Sequence, residues 1–192
     1  MGTALIQVDK IYYELLNGQP MAMASGTANH SNVAVNIISL FKNYLRGKFC
    51  RVYAELDVHL SDNDRFRPDV MVVCKQDIIK KNGVHGAPDL VVEVLSPSTI
   101  KRDRGYKMQL YAKSGVKELW LVDSENRTIE TYLLQNEIYE LDNGYALLPD
   151  YILEKMSDED KAEIIHEFNP SIFKDMVIRV EDVFEGLLGD FN

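Results

Sequence analysis

A chain of 192 residues, 46% hydrophobic and 27% charged, carries enough apolar material for one core and falls within the ordinary size of a single domain. No apolar run approaches the roughly 20 residues needed to span a bilayer, and the opening MGTALIQVDK lacks the order of an export signal, so a cytoplasmic protein without membrane contact is expected. The net charge of −9 argues at first against a polyanionic partner, but residues 150–192 hold 12 acidic and 4 basic residues, which leaves 18 against 17 over residues 1–149.

Asn17-Gly18, inside the opening from Tyr12 to Ala24, predicts a hairpin between two brief strands. Val33, Ile37, Leu40, Phe41, Tyr44 and Leu45 then recur at helical spacing over residues 31–46, with Gly47 placed to end the helix. Residues 51–60 alternate, with Val52, Ala54, Leu56 and Val58 on one face and Tyr53, Glu55, Asp57 and His59 on the other, which predicts one half-buried strand. Two β-branched runs follow, 69–74 and 89–95, of the kind buried on both faces. A second helix is predicted from about Arg102 to Ser114, introduced by Ser96-Pro97-Ser98-Thr99 and closed by Gly115. The run ELWLVD at 118–123 gives another buried strand, and 128–134 and 138–141 give meander strands, with Asp142-Asn143-Gly144 as a turn. In the acidic end, 154–168 fits a helix and 177–187 a strand running into a last short helix.

Helix, three strands, helix, strand predicts an α/β (α+β) fold with a central mixed sheet flanked by helices. With no repeat, linker or low-complexity stretch, residues 1–192 are expected to form one domain, with a core over about 10–150 and an acidic extension over about 150–192. Cys50 and Cys74 have no zinc-ligand partners at the right spacing and are expected to be reduced structural thiols.

Two carboxylates stand where structure alone would not put them. Glu93 lies in the middle of the most apolar strand, Leu90 to Leu95, where a lone buried carboxylate is costly unless paired, hydrogen-bonded or bound to a metal. Asp69 follows Pro68 at the head of the preceding strand, so the two acids can share one notch if the strands are neighbours. Oxygen ligands of this kind suit Mg²⁺ or Mn²⁺. On the second helix, Asp103 and Lys107 share the inward stripe of Leu110, Tyr111 and Ser114, so Lys107 looks toward the sheet and wants an anion there. That anion is either a charge developing on a phosphodiester oxygen or simply Glu93 or Asp103 in a structural ion pair. Glu55 can add a ligand or support the site from the polar face of its strand, although wet strand faces carry such residues routinely. Tyr106 and Tyr111 could hydrogen-bond or stack in the site, or belong to the core. Lys101, Arg102 and Arg104 could bind nucleic acid or form a solvated helix face. No Gly-rich phosphate loop, nucleophile elbow or Cys/His pair points to a nucleotide cofactor or acyl transfer.

The segments YYELLNG, RFRPDVMVV, GAPDLVVEVLSPST, RDRGYKMQLYAKSGVKELWLVD and VEDVF, in that order across nearly the whole chain, resemble the Uma-type family of bacterial endonucleases within the PD-(D/E)XK superfamily. The resemblance implies a restriction endonuclease-like core of order αβββαβ. It also implies metal held by Asp69 and Glu93, with the backbone carbonyl of Val94 as a further ligand, and DNA as substrate. Glu14 and His30 fall where the family carries recurrent polar residues near the cleft, although by context alone they read as surface or capping groups. The chain departs from the family in one respect: Leu95 occupies the lysine position of the E-x-K pattern, and Lys107 is the candidate replacement. The expected activity is a Mg-dependent endodeoxyribonuclease acting as a homodimer, since two related sites cut two strands most simply. The alternative is a nucleic-acid-binding or regulatory module of the same fold with a decayed site.

Overall fold

The computed structural model describes residues 12–23 and 26–189. Asn17 and Gly18, at φ 50° and 75°, turn β1 (Tyr13–Leu16) onto β2 (Gln19–Ala22), as the Asn-Gly pair predicts; the expected hairpin's last residue, Ala24, lies outside the described residues. Helix α1 (Ala28–Tyr44) begins three residues before the predicted start at 31, because the Thr27 hydroxyl caps it by accepting the His30 N–H. Val33, Ile37 and Phe41 bury its inner face.

The alternating stretch 51–60 is not one strand. It divides into β3 (Arg51–Ala54) and β4 (Val58–His59) at Glu55, whose φ of 46° lies in the left-handed region. Strands β5 (Arg65–Phe66), β6 (Val70–Val73), β7 (Ile79–Lys80), β8 (Gly83–His85) and β9 (Leu90–Leu95) follow. The second helix begins as α2 (Ile100–Arg102), widens into a π turn at Asp103–Lys107 and continues as α3 (Met108–Ser114), ended by Gly115 at φ 88°. Strands β10 (Glu118–Asp123), β11 (Thr128–Gln135) and β12 (Ile138–Ala146) complete the main sheet.

Asp142-Asn143-Gly144 is not a turn. Strand β12 runs through it, and the pairing slips there, with Thr131 opposite Asn143 but Tyr132 opposite Leu141, so Asp142 forms a bulge. The chain reverses instead at Asn136 and Glu137, both at positive φ. The acidic segment is also less helical than expected. Only α4 (Asp150–Leu153) and α5 (Asp158–Ala162) form, because Ser157 restarts the chain by accepting the Asp160 N–H. The rest is a small ladder of β13 (Glu167–Phe168) with β14 (Ile178–Arg179), leading into α6 (Val180–Val183).

The main sheet has the order β12-β11-β10-β9-β6-β3, with β9 and β10 parallel and the other pairs antiparallel. It is the mixed sheet of the predicted αβββαβ order. A second sheet of short strands, β2-β1-β5-β4-β8-β7, was not foreseen. Alternation along the central strands splits the core in two. Val70, Val72, Leu90, Val92 and Val94 face α1 and the C-terminal segment, including Phe168, Ile178 and Val183. Met71, Val73, Val91 and Leu95 face the other way, toward Tyr111 on α3 and Phe66 and Val84 of the second sheet.

Cys50 and Cys74 are joined in a disulfide, contrary to the expectation of two reduced thiols. Antiparallel pairing of β3 with β6 sets Arg51 opposite Val73, so the next residues outward meet with Cα atoms 4.1 Å apart. That pairing is invisible in a sequence separation of 24 residues.

Candidate active site

On β9, Glu93 alternates with Val91 and Leu95 and therefore points beneath the helix of residues 100–114. Lys107 and Tyr111, one turn apart on that helix, meet it: Lys107 Nζ lies 3.1 Å from Glu93 Oε1, and the Tyr111 hydroxyl donates to the same oxygen at 2.7 Å. The π turn holds both Asp103 and Lys107 inward, 3.5 Å apart, while Arg104 and Tyr106 face out. A third carboxylate arrives from the second sheet. Glu14 on β1 is 1% exposed, accepts the Arg67 N–H at 3.1 Å and takes Lys107 Nζ at 2.9 Å, with Arg102 3.6 Å away. The Lys107 ammonium is thus enclosed by three carboxylates.

Burial pushes the Glu93 carboxyl up to about 8, against the pull of the Lys107 charge; Asp103, Asp69 and Glu14 push it further the same way. Burial alone would lower the Lys107 ammonium, but Glu93, Glu14 and Asp103 together outweigh it and hold the amine protonated above its usual range. Burial, then the neighbouring Glu93 charge, raises the Tyr111 hydroxyl. The cluster has more carboxylates than cations, and Glu93 is the acid that holds its proton near neutral pH.

Asp69 stands just outside this knot. Val70 pairs with Val92, which brings Asp69 beside Glu93 at the end of the two strands, and Asp69 Oδ2 accepts the Val94 N–H at 2.7 Å. His30 Nε2, in the first turn of α1, lies 3.4 Å from the same oxygen. Its imidazole is raised first by the bond to Asp69, against burial, and further by the Val94 carbonyl. These groups line a cleft of about 320 Å³, whose other walls include Glu55, Arg67, Ser96, Thr99 and Arg102.

Of the residues singled out in the sequence, Asp69, Glu93, Val94, Lys107, Asp103, Glu14, His30, Glu55 and Arg102 all line this cleft, and Tyr111 supports it from behind Glu93. Two do not join it. Arg104 binds Glu130 on β11 through two bonds of 2.6 and 2.9 Å, and Lys101 stands in solvent. Tyr106 donates to Asp64 rather than entering the site. Arg67, Ser96 and Thr99 escaped notice. Arg67 sits one residue before the Pro-Asp pair, a usable signal, whereas Ser96 and Thr99 read only as a helix lead-in.

Do these residues fit a divalent cation? Among the described residues, no three His, Cys, Asp or Glu side chains converge as a self-sufficient metal cage. A hard cation such as Mg²⁺ does not need one, since it keeps several waters and uses one or two carboxylates plus substrate phosphate. Asp69 and Val94 line the cleft side by side, with the Val94 N–H on Asp69 Oδ2, and Glu93 Oε2 receives neither Lys107 nor Tyr111. The donor set fits.

A mixed sheet with two acids side by side on adjacent strands and a lysine turned in from the next helix defines a restriction endonuclease-like α/β protein. The chain belongs to the Uma2 family: the family model, described as "Putative restriction endonuclease", matches residues 4–155. The fold is similar to that of a crystal structure from Anabaena variabilis described as "a putative nuclease belonging to DUF820", with a TM-score of 0.68 over 90% of this chain and 89% of that one. At 20% identity that likeness is one of fold. An uncharacterized protein of Synechocystis sp. is 37% identical over 123 residues, which span 62% of this chain and 65% of that protein. No helix among the described residues is long and apolar enough to cross a membrane.

Proposed function

We propose that this protein is a divalent-metal-dependent endonuclease that hydrolyses phosphodiester bonds of DNA. The observation that carries the reading is the cleft lined together by Asp69, Glu93 and Val94, with the buried Lys107 ammonium 3.1 Å behind Glu93. Asp69, Glu93 and the Val94 carbonyl would hold Mg²⁺ or Mn²⁺, which supplies Lewis-acid polarisation of the phosphoryl group and a lowered pKa for an attacking water. Lys107 replaces the lysine that Leu95 displaces. Three carboxylates keep it charged, so it can stabilise negative charge developing on a phosphoryl oxygen without reorganising. Glu93 accepts from Lys107 and Tyr111 on one oxygen, which fixes the other toward the cleft. Arg67 and Arg102 flank the opening with positive charge for the phosphate backbone.

The test is cleavage of plasmid and oligonucleotide DNA in Mg²⁺ or Mn²⁺ by wild type, Asp69→Ala, Glu93→Ala and Lys107→Met protein. Wild type is expected to cut and each variant to lose at least about 100-fold in rate. Cleavage by Asp69→Ala or Glu93→Ala at the wild-type rate refutes the assignment. Wild-type protein that retards DNA in a gel but never cuts it makes the chain a binding module instead.

A further inference from the structure

The acidity of the chain has a gap: no Asp or Glu occurs from Leu15 to Ala54, in a protein of net charge −9. That segment contains α1, one wall of the cleft. Among the exposed positions of α1 and the residues just after it, Ser31, Val35, Ser39, Lys42 and Arg46 recur every three or four residues and so form a single line along the helix. Ser31 and Val35 line the cleft, while Lys42 and Arg46 line a second, shallower depression with Lys48 and Arg51. The line therefore runs from the acids of the candidate active site to the densest group of cations in this part of the chain. From Ser31 to Arg46 it covers about 20 Å at the rise of an α-helix.

Several cations elsewhere on the surface are engaged by acids, Arg104 by Glu130, Lys117 by Asp89 and Arg67 by Asp57, while others among the described residues, such as Lys75, Lys80 and Lys81, are not but line neither the cleft nor the second depression. Among the described residues Lys42, Arg46 and Arg51 have no carboxylate partner. Lys48 shares Asp175 at 3.6 Å, and Arg51 donates to the carbonyls of Lys48, Phe49 and Cys50, which hold its guanidinium against the loop. Phe49 stands 66% exposed in the midst of these charges, an arrangement water disfavours but a sugar or base would cover. A helix C-terminus favours a few cations for its dipole, but that accounts only for Lys42 and Arg46 and does not require an acid-free path to the cleft.

We infer that the outer line of α1 is a track for the substrate's sugar–phosphate backbone, which leaves the cleft along Ser31 and Val35 and is anchored at Lys42, Arg46 and Lys48. The inference rests on the reading of the cleft as a phosphodiesterase site and adds the direction the nucleic acid takes from it. The backbone is gripped about six base pairs from the reacting phosphate, at 3.4 Å per phosphate along each strand. Contacts of this kind carry no sequence information and act through counterion release.

The experiment measures duplex DNA binding by the full chain in Ca²⁺, over a range of salt, for wild type, Lys42→Gln/Arg46→Gln, and a control of equal charge change, Lys113→Gln/Lys155→Gln. A long duplex reaching well past the cut on both sides is compared with one trimmed close to it. The Lys42/Arg46 variant is expected to bind the long duplex on the order of tenfold or more weaker near 0.1 M salt, with the salt slope reduced by about two. The control is expected to bind as wild type does, and the wild-type preference for the long duplex is expected to vanish in the Lys42/Arg46 variant. Wild-type affinity and slope in that variant overturn the track, as does a wild type indifferent to trimming. A variant that changes only self-association assigns the strip to a second copy of the chain and also overturns it. If wild type neither binds nor cuts DNA, the functional proposal itself falls, an outcome distinct from cleavage by wild type with no effect of the double substitution.

Discussion

Lys107→Met removes the one lysine among three buried carboxylates while nearly keeping side-chain volume. Losing one partner of a buried ion pair costs about 3–5 kcal/mol, because the charge left behind has neither water nor counter-ion. Here Glu14, Glu93 and Asp103 lie 2.9, 3.1 and 3.5 Å from the amine, and the remaining cation, Arg102, is 3.6 Å from Glu14 alone. The acids can relieve the strain only by taking up protons. Glu93 is already raised to about 8 with Lys107 pulling it down, so without Lys107 it holds its proton more tightly still. Wild type already carries the Glu93 proton over most of this range, so the variant's deficit grows with pH only through further protons that the cluster takes up once Lys107 is gone, by about 1.4 kcal/mol per pH unit for each. Urea unfolding of the full chain at pH 8 is expected to show a loss of about 3–5 kcal/mol relative to wild type, shrinking to about 1–2 kcal/mol at pH 5. A loss below about 1 kcal/mol at pH 8, or one of equal size at both pH values, would refute the enclosure of the ammonium by three carboxyl groups.

Glu93→Gln keeps acceptor and shape for Lys107 and Tyr111 but has no proton to release. Since the folded carboxyl is raised from 4.5 to about 8, wild type loses stability relative to this variant as pH climbs through that window. Thermal or urea unfolding from pH 5 to pH 8 is expected to move the difference by on the order of 2–4 kcal/mol in favour of the variant, while cleavage disappears; a difference that stays flat with pH contradicts the raised carboxyl. The Cys50–Cys74 bridge closes a loop of 24 residues, so the double serine variant, or wild type in reductant, is expected to lose about 3 kcal/mol. Thiol titration of the unfolded protein checks the premise directly, since two free thiols without reductant would remove the bridge.

The parts of this site visible in the sequence are those set by local periodicity. Glu93 and Asp69 stood out because their strands are apolar, and strand alternation sufficed to aim Glu93 at the following helix. Lys107 was legible for a subtler reason. The π turn lies on its N-terminal side, so the row from Lys107 through Tyr111 to Ser114 keeps ordinary α spacing. What depended on distant chain was not legible. Glu14 looks like an exposed hairpin residue until β1 docks on β5, where Leu15 pairs with Arg65 and Arg67 offers its N–H. The left-handed Glu55 sends Val52 to one core and Leu56 and Val58 to the other, yet the residue types of 51–60 alternate in the sequence regardless, so nothing in the pattern announced the break. The disulfide likewise follows from the register of β3 on β6, and the bulge at Asp142 looks in sequence like a turn.

The cluster around Lys107 is also poor engineering for stability alone. Three carboxylates and one ammonium, each at most 4% exposed, lose their hydration and recover only part of it from one another. Replacing a buried ionic group as a whole with apolar side chains of similar volume is often neutral or stabilising, while breaking it at one member is harmful. The two cases separate here in one comparison. Glu14→Met/Glu93→Leu/Asp103→Leu/Lys107→Met is expected to unfold at pH 8 no more easily than wild type, although it contains the Lys107→Met change that alone costs about 3–5 kcal/mol. It should lose all pH dependence from the cluster and all cleavage. If the quadruple variant is instead destabilised at least as much as the single one, the charges are a structural requirement of the junction between the two sheets. Their presence would then say nothing about catalysis, and only Asp69, at the open end of the cleft, would still speak for it.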